Sequence, residues 1–305
     1  NSCREVLVVS GHTKPVGKVR FHDQHPSLLA TAAHDQTVRV WDVRQATQRS
    51  VGSLGVMSGT APFCVEWSPK DENILAVTER DGSVYVYDTR KLGRGSDAAA
   101  NISPVSSKRM QPKVVETCLF SPCGKYLIAG VTGSSTDSST MGFLNVWDWN
   151  SPCGDSEVQE FPAHAGPIYA MAFNEQYDKL ATGGADASVG IWNVDSLTCT
   201  RNLTRRSKFV RGLAFGGPFL ATSSEEDTVD ICEASSGKLV GLVDLKGGGG
   251  GGEEGNSRSG GMHGIGVEEI AFQPSSTSHL LACARIPSPI GPPQSPVTLV
   301  KISVA

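Results

Sequence analysis

The stretch LATAAHDQTVRVWDV, residues 29–43, decides the fold of this 305-residue chain. An apolar run is followed by a tight polar turn, and a second run then alternates Val38 and Val40 with other side chains. Alternation with a period of two residues is typical of β-strands, and the short turn indicates that the two runs pair antiparallel. The stretch therefore predicts a β-hairpin.

The same pattern recurs, and the copies align without a gap. The further copies are LAVTERDGSVYVYDT (75–89), LATGGADASVGIWNV (180–194) and LATSSEEDTVDICEA (220–234). Short strand candidates that end in an aromatic residue mark six units, at Phe21, Trp67, Phe120, Phe173, Phe215 and Phe272. A further strand candidate, such as SEVQEF (156–161), separates the units, so each unit is predicted to contain four strands.

Four-stranded units of about 40 to 45 residues, with Gly-His before the first strand and Trp-Asp after the third, are the signature of a WD40 β-propeller. Gly11-His12 and Trp41-Asp42 supply both pairs in the first unit. We therefore expect one all-β domain, residues 1–305. Its six recognisable repeats are predicted at 11–48, 49–93, 97–152, 157–199, 200–241 and 242–305.

Four segments are too rich in Gly, Ser, Ala or Pro to bury apolar area. They are predicted to be flexible insertions at 91–112, 132–142, 246–264 and 286–296. Closure of the propeller has two solutions. Either REVLVVS (4–10) completes the last repeat as a six-bladed form, or a preceding repeat is missing from the sequence.

Composition excludes several classes of function. A formal net charge of −4 argues against a surface that follows nucleic-acid phosphates throughout, although a local basic patch remains compatible. The eight cysteines include no Cys-x2-Cys pair, which argues against zinc and favours free thiols in a reducing compartment. No apolar run approaches the ~20 residues of a membrane span. His22 and His25 are expected to be solvated turn residues.

Nucleotide-binding and hydrolase motifs are absent from the sequence, so no enzyme activity and no cofactor are predicted. A finer resemblance lies in ATGGADASVGIWNVDSLTCTRNLTRRSKFVRGLAF (181–215) and LATSSEEDTVDICEASSGKLV (220–240). These stretches resemble the WD-repeat subunit of the THO complex, the THO complex subunit 3 family.

The resemblance implies a nuclear scaffold within the THO/TREX assembly, which couples transcription to mRNA processing and export. Its partners would be other THO/TREX subunits, with an indirect association with mRNA and no membrane or small-molecule substrate. Family members resemble seven-bladed propellers, and this chain begins where their second repeat begins. That departure favours a missing first repeat.

In WD-repeat proteins, four matched residues form a hydrogen-bonded line from aspartate to histidine to hydroxyl to indole. The sets implied here are His12, Thr31, Asp35 and Trp41, and His164, Thr182, Asp186 and Trp192. A histidine, an aspartate and a hydroxyl could also form a nucleophile triad. Recurrence at matched spacing, with decay in other copies, favours a structural brace.

Two groups of basic residues are candidates for partner binding. Arg44 follows a repeat that resembles the motif by which some WD-repeat proteins dock on the adaptor of cullin-4 ubiquitin ligases, and Arg90 holds the same place in the next repeat. Arg205, Arg206 and Lys208 cluster in a loop before a first strand. Such a cluster could receive an acidic segment or a phosphate backbone.

Overall fold

The computed structural model describes residues 10–44, 50–92, 102–110, 114–133, 140–151, 158–244, 267–272, 279–285 and 297–302. The chain forms two compact units, Asn1–Ala163 and His164–Ala305. Within the described residues the regular structure is all strand, apart from one 3₁₀ turn at Thr89–Lys91, and the all-β prediction is confirmed. No helix in this part of the chain is long and apolar enough to cross a membrane.

The first unit contains three four-stranded antiparallel sheets. The first sheet comprises β1 (Val16–Phe21), β2 (Leu28–Ala33), β3 (Thr37–Asp42) and β4 (Gly52–Gly55). The second comprises β5 (Pro62–Trp67), β6 (Ile74–Glu79), β7 (Ser83–Asp88) and β8 (Ser106–Arg109). The third comprises β9 (Val114–Phe120), β10 (Tyr126–Thr132), β11 (Gly142–Asp148) and β12 (Gln159–His164), which ends on the first residue of the second unit.

The second unit repeats the arrangement. The fourth sheet comprises β13 (Ile168–Phe173), β14 (Lys179–Gly184), β15 (Val189–Asn193) and β16 (Thr198–Leu203). The fifth comprises β17 (Val210–Gly216), β18 (Phe219–Ser224), β19 (Thr228–Glu233) and β20 (Leu239–Asp244). The sixth has three described strands, β21 (Val267–Phe272), β22 (His279–Arg285) and β23 (Val297–Ile302).

Each four-stranded sheet takes its last strand from the start of the next sequence repeat. β4 pairs with β3 but lies in the repeat predicted at 49–93, and β12 belongs to the third sheet but lies in the repeat predicted at 157–199. The repeat boundaries and the number of blades stay predictions. The offset arises because the predicted repeats after the first begin before or within this outer strand, which precedes the Gly-His position in the sequence.

One of the predicted flexible insertions contains a regular β-strand. Residues 106–109, inside the segment 91–112, form β8 and pair with β7. The predicted segment 132–142 lies between the end of β10 at Thr132 and the start of β11 at Gly142, and residues 134–139 within it lie outside the described residues. The predicted insertions at 246–264 and 286–296 also lie outside the described residues.

Apolar faces of neighbouring sheets pack on one another within each unit. Each fully buried aliphatic side chain stabilises the fold by about 1.5 to 3 kcal/mol relative to an exposed one. The buried clusters include Val38 and Leu75 between the first two sheets, Val84 and Leu127 between the second and third, and Ile191 and Leu220 between the fourth and fifth.

An aspartate sets the turn between the second and third strands. Asp35 Oδ1 accepts hydrogen bonds from the backbone N–H of Thr37 at 3.1 Å and from its hydroxyl at 2.7 Å. Gln36, between them, has a φ of 67°, and Ala187 has a φ of 60° at the matching place in the fourth sheet. The aspartate holds this left-handed conformation, which non-glycine residues seldom adopt.

Candidate functional site

The first predicted tetrad is joined by hydrogen bonds across three strands. His12 precedes β1, Thr31 lies on β2 and Trp41 on β3. The histidine Nδ1 is 2.9 Å from Asp35 Oδ2, its Nε2 is 2.7 Å from Thr31 Oγ1, and Trp41 Nε1 donates to the same hydroxyl at 2.8 Å. When Nδ1–H donates to the carboxylate, Nε2 accepts the hydrogen of the threonine hydroxyl. The hydrogen bonds then form a continuous chain from Asp35 to the indole of Trp41.

Asp35 carries the negative charge of this tetrad. Burial alone would raise its pKa, but hydrogen bonds from the backbone of Thr13, from Thr37 and from His12 outweigh that effect and lower the pKa. The Thr13 N–H donates at 2.9 Å. Because hydrogen bonds to a charged group are stronger than neutral ones, this carboxylate is the anchor of the brace.

The second predicted tetrad has matching geometry, with His164 at the end of β12 and its partners in the fourth sheet. His164 Nδ1 lies 3.0 Å from Asp186 Oδ1 and its Nε2 lies 2.8 Å from Thr182 Oγ1. Trp192 Nε1 donates to the threonine hydroxyl at 2.9 Å. Here too, burial raises the pKa of Asp186 but hydrogen bonds and the adjacent histidine lower it overall.

Two glycines let this second tetrad form. A Cβ at Gly184 would stand 2.7 Å from His164 Nδ1, and a Cβ at Gly190 would stand 2.8 Å from Trp192 Nε1. Real Cβ atoms do not approach side-chain atoms so closely, and either substitution would displace a ring. The packing of this second tetrad therefore depends on both glycines, whereas the first tetrad has Ala33 and Arg39 at the matching positions.

The second sheet replaces the histidine with a different brace. Ser58 holds the histidine's place, and Glu79 holds the place of Gly184. The Glu79 carboxylate is fully buried and accepts hydrogen bonds from the backbone N–H of Met57 at 2.8 Å, from the backbone N–H of Ser58 at 2.9 Å and from the Ser58 hydroxyl. A glutamate side chain thus makes the connection that an imidazole makes elsewhere.

The remaining tetrad positions of the second sheet are also altered. Asp81 pairs with Arg109 of β8 at 3.2 Å. Val77 replaces the threonine, and the buried hydroxyl of Tyr87, in the tryptophan's place, has no hydrogen-bond partner among the described residues. Burial, and secondarily the charge of Glu79, raises the pKa of Tyr87.

In the fifth sheet an arginine takes the histidine's place. Arg206 Nη1 donates to Glu226 at 2.9 Å and to Thr228 at 2.8 Å, while Nη2 donates to the carbonyl oxygen of Thr222 at 2.8 Å and lies 3.3 Å from Asp230. Its side chain is only 4% exposed. Arg206 is one of the candidates for partner binding, but its side chain is buried because two carboxylates draw the guanidinium between the strands.

The rest of the predicted basic cluster is exposed but balanced by acid. Arg205 lies 3.5 Å from Asp230, and Lys208 Nζ donates to the backbone oxygen of Glu225 at 3.3 Å. Arg211 nearby is held by the Glu225 carboxylate at 2.7 Å and stacks 4.2 Å from the ring centre of Tyr169. Arg205 is therefore paired with a carboxylate, Lys208 is held by a backbone oxygen, and the aromatic stack of Arg211 lies on the adjacent strands.

Arg44 and Arg90 have equivalent geometry on the first and second sheets. The Arg44 Nε and Nη2 donate to the two oxygens of Asp42 at 3.0 and 2.8 Å. Those of Arg90 donate to Asp88 at 2.9 and 2.8 Å. Their side chains are 73% and 65% exposed, and the aspartates raise the pKa of both guanidinium groups. Each arginine is exposed and fixed in orientation.

The two complete tetrads coincide with the sequence matches to a known family. Residues 3–42 and 155–193 match the family described as "WD domain, G-beta repeat". These two stretches thus match WD40 repeats. Its four-stranded antiparallel sheets are those from which a WD40 β-propeller is built, and the predicted fold class is confirmed.

The names of the curated relatives describe several different roles. "THO complex subunit 3" of Arabidopsis thaliana is 26% identical over 77% of this chain and 66% of its own length. "Protein transport protein sec13" of Aspergillus oryzae is 26% identical over 68% of this chain and 77% of its own length. "GATOR2 complex protein WDR59" of Gallus gallus is 23% identical over 62% of this chain and 22% of its own length. The chain thus spans just under two thirds of the THO relative.

The WD40 sequence pattern did not predict two buried polar residues. Glu79 is buried although it sits beside a charged turn, and His22 is 2% exposed, which corrects its expected solvated place. His22 donates to the backbone oxygen of Glu72 at 3.0 Å and packs 4.7 Å from Trp67. Within the described residues no group of three His, Cys, Asp or Glu side chains could hold a metal ion, and the cysteines described there are free.

Proposed function

We propose that this chain is a non-catalytic WD40 scaffold that works as a subunit of a THO/TREX-type nuclear assembly, coupling transcription to mRNA processing and export. The scaffold role is supported by the hydrogen bonds that its histidine side chains make. Each histidine of the two tetrads donates to an aspartate and accepts from a threonine, which leaves neither nitrogen for acid–base work. WD40 proteins generally act through protein–protein contacts.

The THO assignment is supported by the stretches 181–215 and 220–240 and by the similarity to the plant THO subunit over 77% of the chain. The test is affinity purification of the tagged full chain from nuclear extract, followed by mass spectrometry. Recovery of the other THO subunits supports the proposal. Recovery of a Sec13-type coat or a GATOR2-type assembly in their place would overturn it.

A second candidate function is substrate reception for a cullin-4 ubiquitin ligase. The observation that favours it is the exposed Arg44, which Asp42 fixes in one orientation. Arg90 offers a matched control, because Asp88 holds it in the same way. Capture of the ligase adaptor that Arg44→Ala abolishes and Arg90→Ala leaves intact would favour this function, whereas equal losses would point to a general basic surface.

A further inference from the structure

The second sheet carries a pocket of about 350 Å³ at the place where its tetrad is altered. Pockets for small molecules range from about 300 to 1,000 Å³, so this one suits a ligand of a few heavy atoms. Its walls come from the turn before β7, from β7 and β8, and from the segment before β5. The lining side chains that carry polar groups include Ser58, Asp81, Ser83, Ser107, Lys108 and Arg109.

Strand register places most of the polar lining residues of β7 and β8 on one face, whereas Lys108, paired with Val84, belongs to the other. Ser83 on β7 is paired with Arg109 on β8, and Tyr85 is paired with Ser107. Directly paired residues of antiparallel strands project to the same side of a sheet. The Asp81 carboxylate lies at the end of that face, 3.2 Å from Arg109 Nη2.

One side of the pocket is rich in hydrogen-bond acceptors. The Ser83 hydroxyl donates to Asp81 Oδ2 at 3.1 Å, and the Ser58 hydroxyl donates to Glu79. Because its hydrogen is committed to Asp81, the Ser83 oxygen can offer only lone pairs to a ligand, whereas the Ser58 oxygen already accepts from the backbone N–H of Thr60 at 3.2 Å. Together with the Asp81 carboxylate they suit a donor with several N–H groups, such as an ammonium.

The opposite side is rich in donors. Lys108 and Arg109 are cations, and Ser107 adds an exposed hydroxyl. A guanidinium binds a carboxylate through paired N–H groups. The two cations are balanced by Asp81 and by the buried Glu79, so a ligand with a net charge would leave one side of the pocket unmatched.

We propose that this pocket binds a small zwitterion of the free α-amino acid class, with the ligand ammonium on the side of Asp81 and Ser83 and the ligand carboxylate on Arg109. The altered tetrad explains why the site exists in this sheet. In the first and fourth sheets an imidazole covers the corresponding aspartate, at 2.9 and 3.0 Å, and occupies the space above it. In the second sheet Ser58 is too short to do so.

The test measures thermal stability of the full chain with proteinogenic α-amino acids at millimolar concentration. Each is compared with its two halves; alanine, for example, is compared with ethylamine and with propionate. A ligand that binds the folded state raises Tm, and above its Kd the stabilisation grows with the logarithm of the ligand concentration. The proposal expects at least one amino acid to do so while its halves do not. No shift with any amino acid, or equal shifts with either half, would overturn it.

Variants then locate the site. Arg109→Gln is expected to raise the Kd, obtained from the dependence of Tm on ligand concentration, by about tenfold or more. Hydrogen bonds to charged groups are stronger than neutral ones. Arg90→Gln is the matched control, because Arg90 is also exposed and aspartate-paired on the same sheet but does not line the pocket. Ser107→Leu, at an exposed position, fills the pocket and should abolish the shift. Retention of the full shift in both pocket variants would overturn the proposal.

Discussion

Glu79 accepts hydrogen bonds from both the backbone N–H and the hydroxyl of Ser58, and this contact occupies the place of a histidine brace in the second sheet. Relative to the fourth sheet, both positions differ, since Ser58 stands in the place of His164 and Glu79 in the place of Gly184. At the position of Glu79 the fourth sheet has Gly184, whose added Cβ would collide with the His164 ring. The first sheet has Ala33 at this position beside His12, so a side chain as long as glutamate, rather than any side chain, accompanies the loss of the histidine.

Loss of the anchoring carboxylate of the first tetrad should destabilise the chain. Asp35→Ala leaves His12 and the Thr13 N–H without their acceptor, and we expect a loss of about 1 to 3 kcal/mol in the free energy of unfolding. Urea denaturation measures it, with Asp195→Ala at an exposed position as control. A change near zero in Asp35→Ala would argue against the brace.

Close approach at Gly184 predicts a steric cost. Gly184→Ala should destabilise by about 1 to 3 kcal/mol, since its Cβ would stand within 2.9 Å of atoms of His164 and Asp186. Gly241→Ala, also in a strand, is the control because no heavy atom lies within 4 Å of its added Cβ. Equal stability of the two variants in thermal denaturation would contradict the packing described for the tetrad.

The buried hydroxyl of Tyr87 predicts a stabilising substitution. Tyr87→Phe removes a polar atom that has no hydrogen-bond partner among the described residues, so the free energy of unfolding should stay equal or rise by about 1 kcal/mol. Trp41→Phe removes an indole that donates to Thr31 and should destabilise. Chemical denaturation separates them, and a marked loss in Tyr87→Phe would mean that the hydroxyl is bonded.

The Arg206 brace predicts a pH dependence of stability. Although burial opposes it, hydrogen bonds from Ser207 and Arg206 lower the pKa of Glu226 from 4.5 to about 2. A carboxyl whose pKa is depressed in the folded state stabilises fully above its unfolded pKa, and this contribution is lost as the pH falls from 4.5 towards 2. Glu226→Gln should therefore be less stable than the wild type at neutral pH, and the gap should narrow at about pH 3. A gap of constant size would contradict the assigned role.

The tetrads could be predicted from the sequence because their members recur at matched spacing. A chance combination of these residue types would not recur at the same spacing in a second copy. The burial of Arg206 could not be predicted in this way. Its partners Glu226 and Asp230 lie on the far side of a hairpin, and the loop around it, with Arg205 and Lys208, has the composition of a solvated segment. Alignment of Arg206 with the two tetrad histidines was the available signal.

Glu79 escaped prediction for a related reason. A glutamate next to Arg80 and Asp81 has the appearance of a turn residue, and only the position of the segment containing Ser58 shows that two backbone N–H groups converge on it. A buried carboxylate is tolerated when several donors surround it, and those donors come from residues some 21 positions away. Local sequence carries no trace of such a contact.

Reciprocal purification tests the proposed assembly most directly. Another THO subunit would be tagged in cells that express this chain, and the purified material would be separated by size and quantified by mass spectrometry. The scaffold proposal predicts that this chain elutes with the tagged subunit in a fixed ratio. Its elution apart from that subunit, with the THO complex otherwise intact, would contradict the proposal.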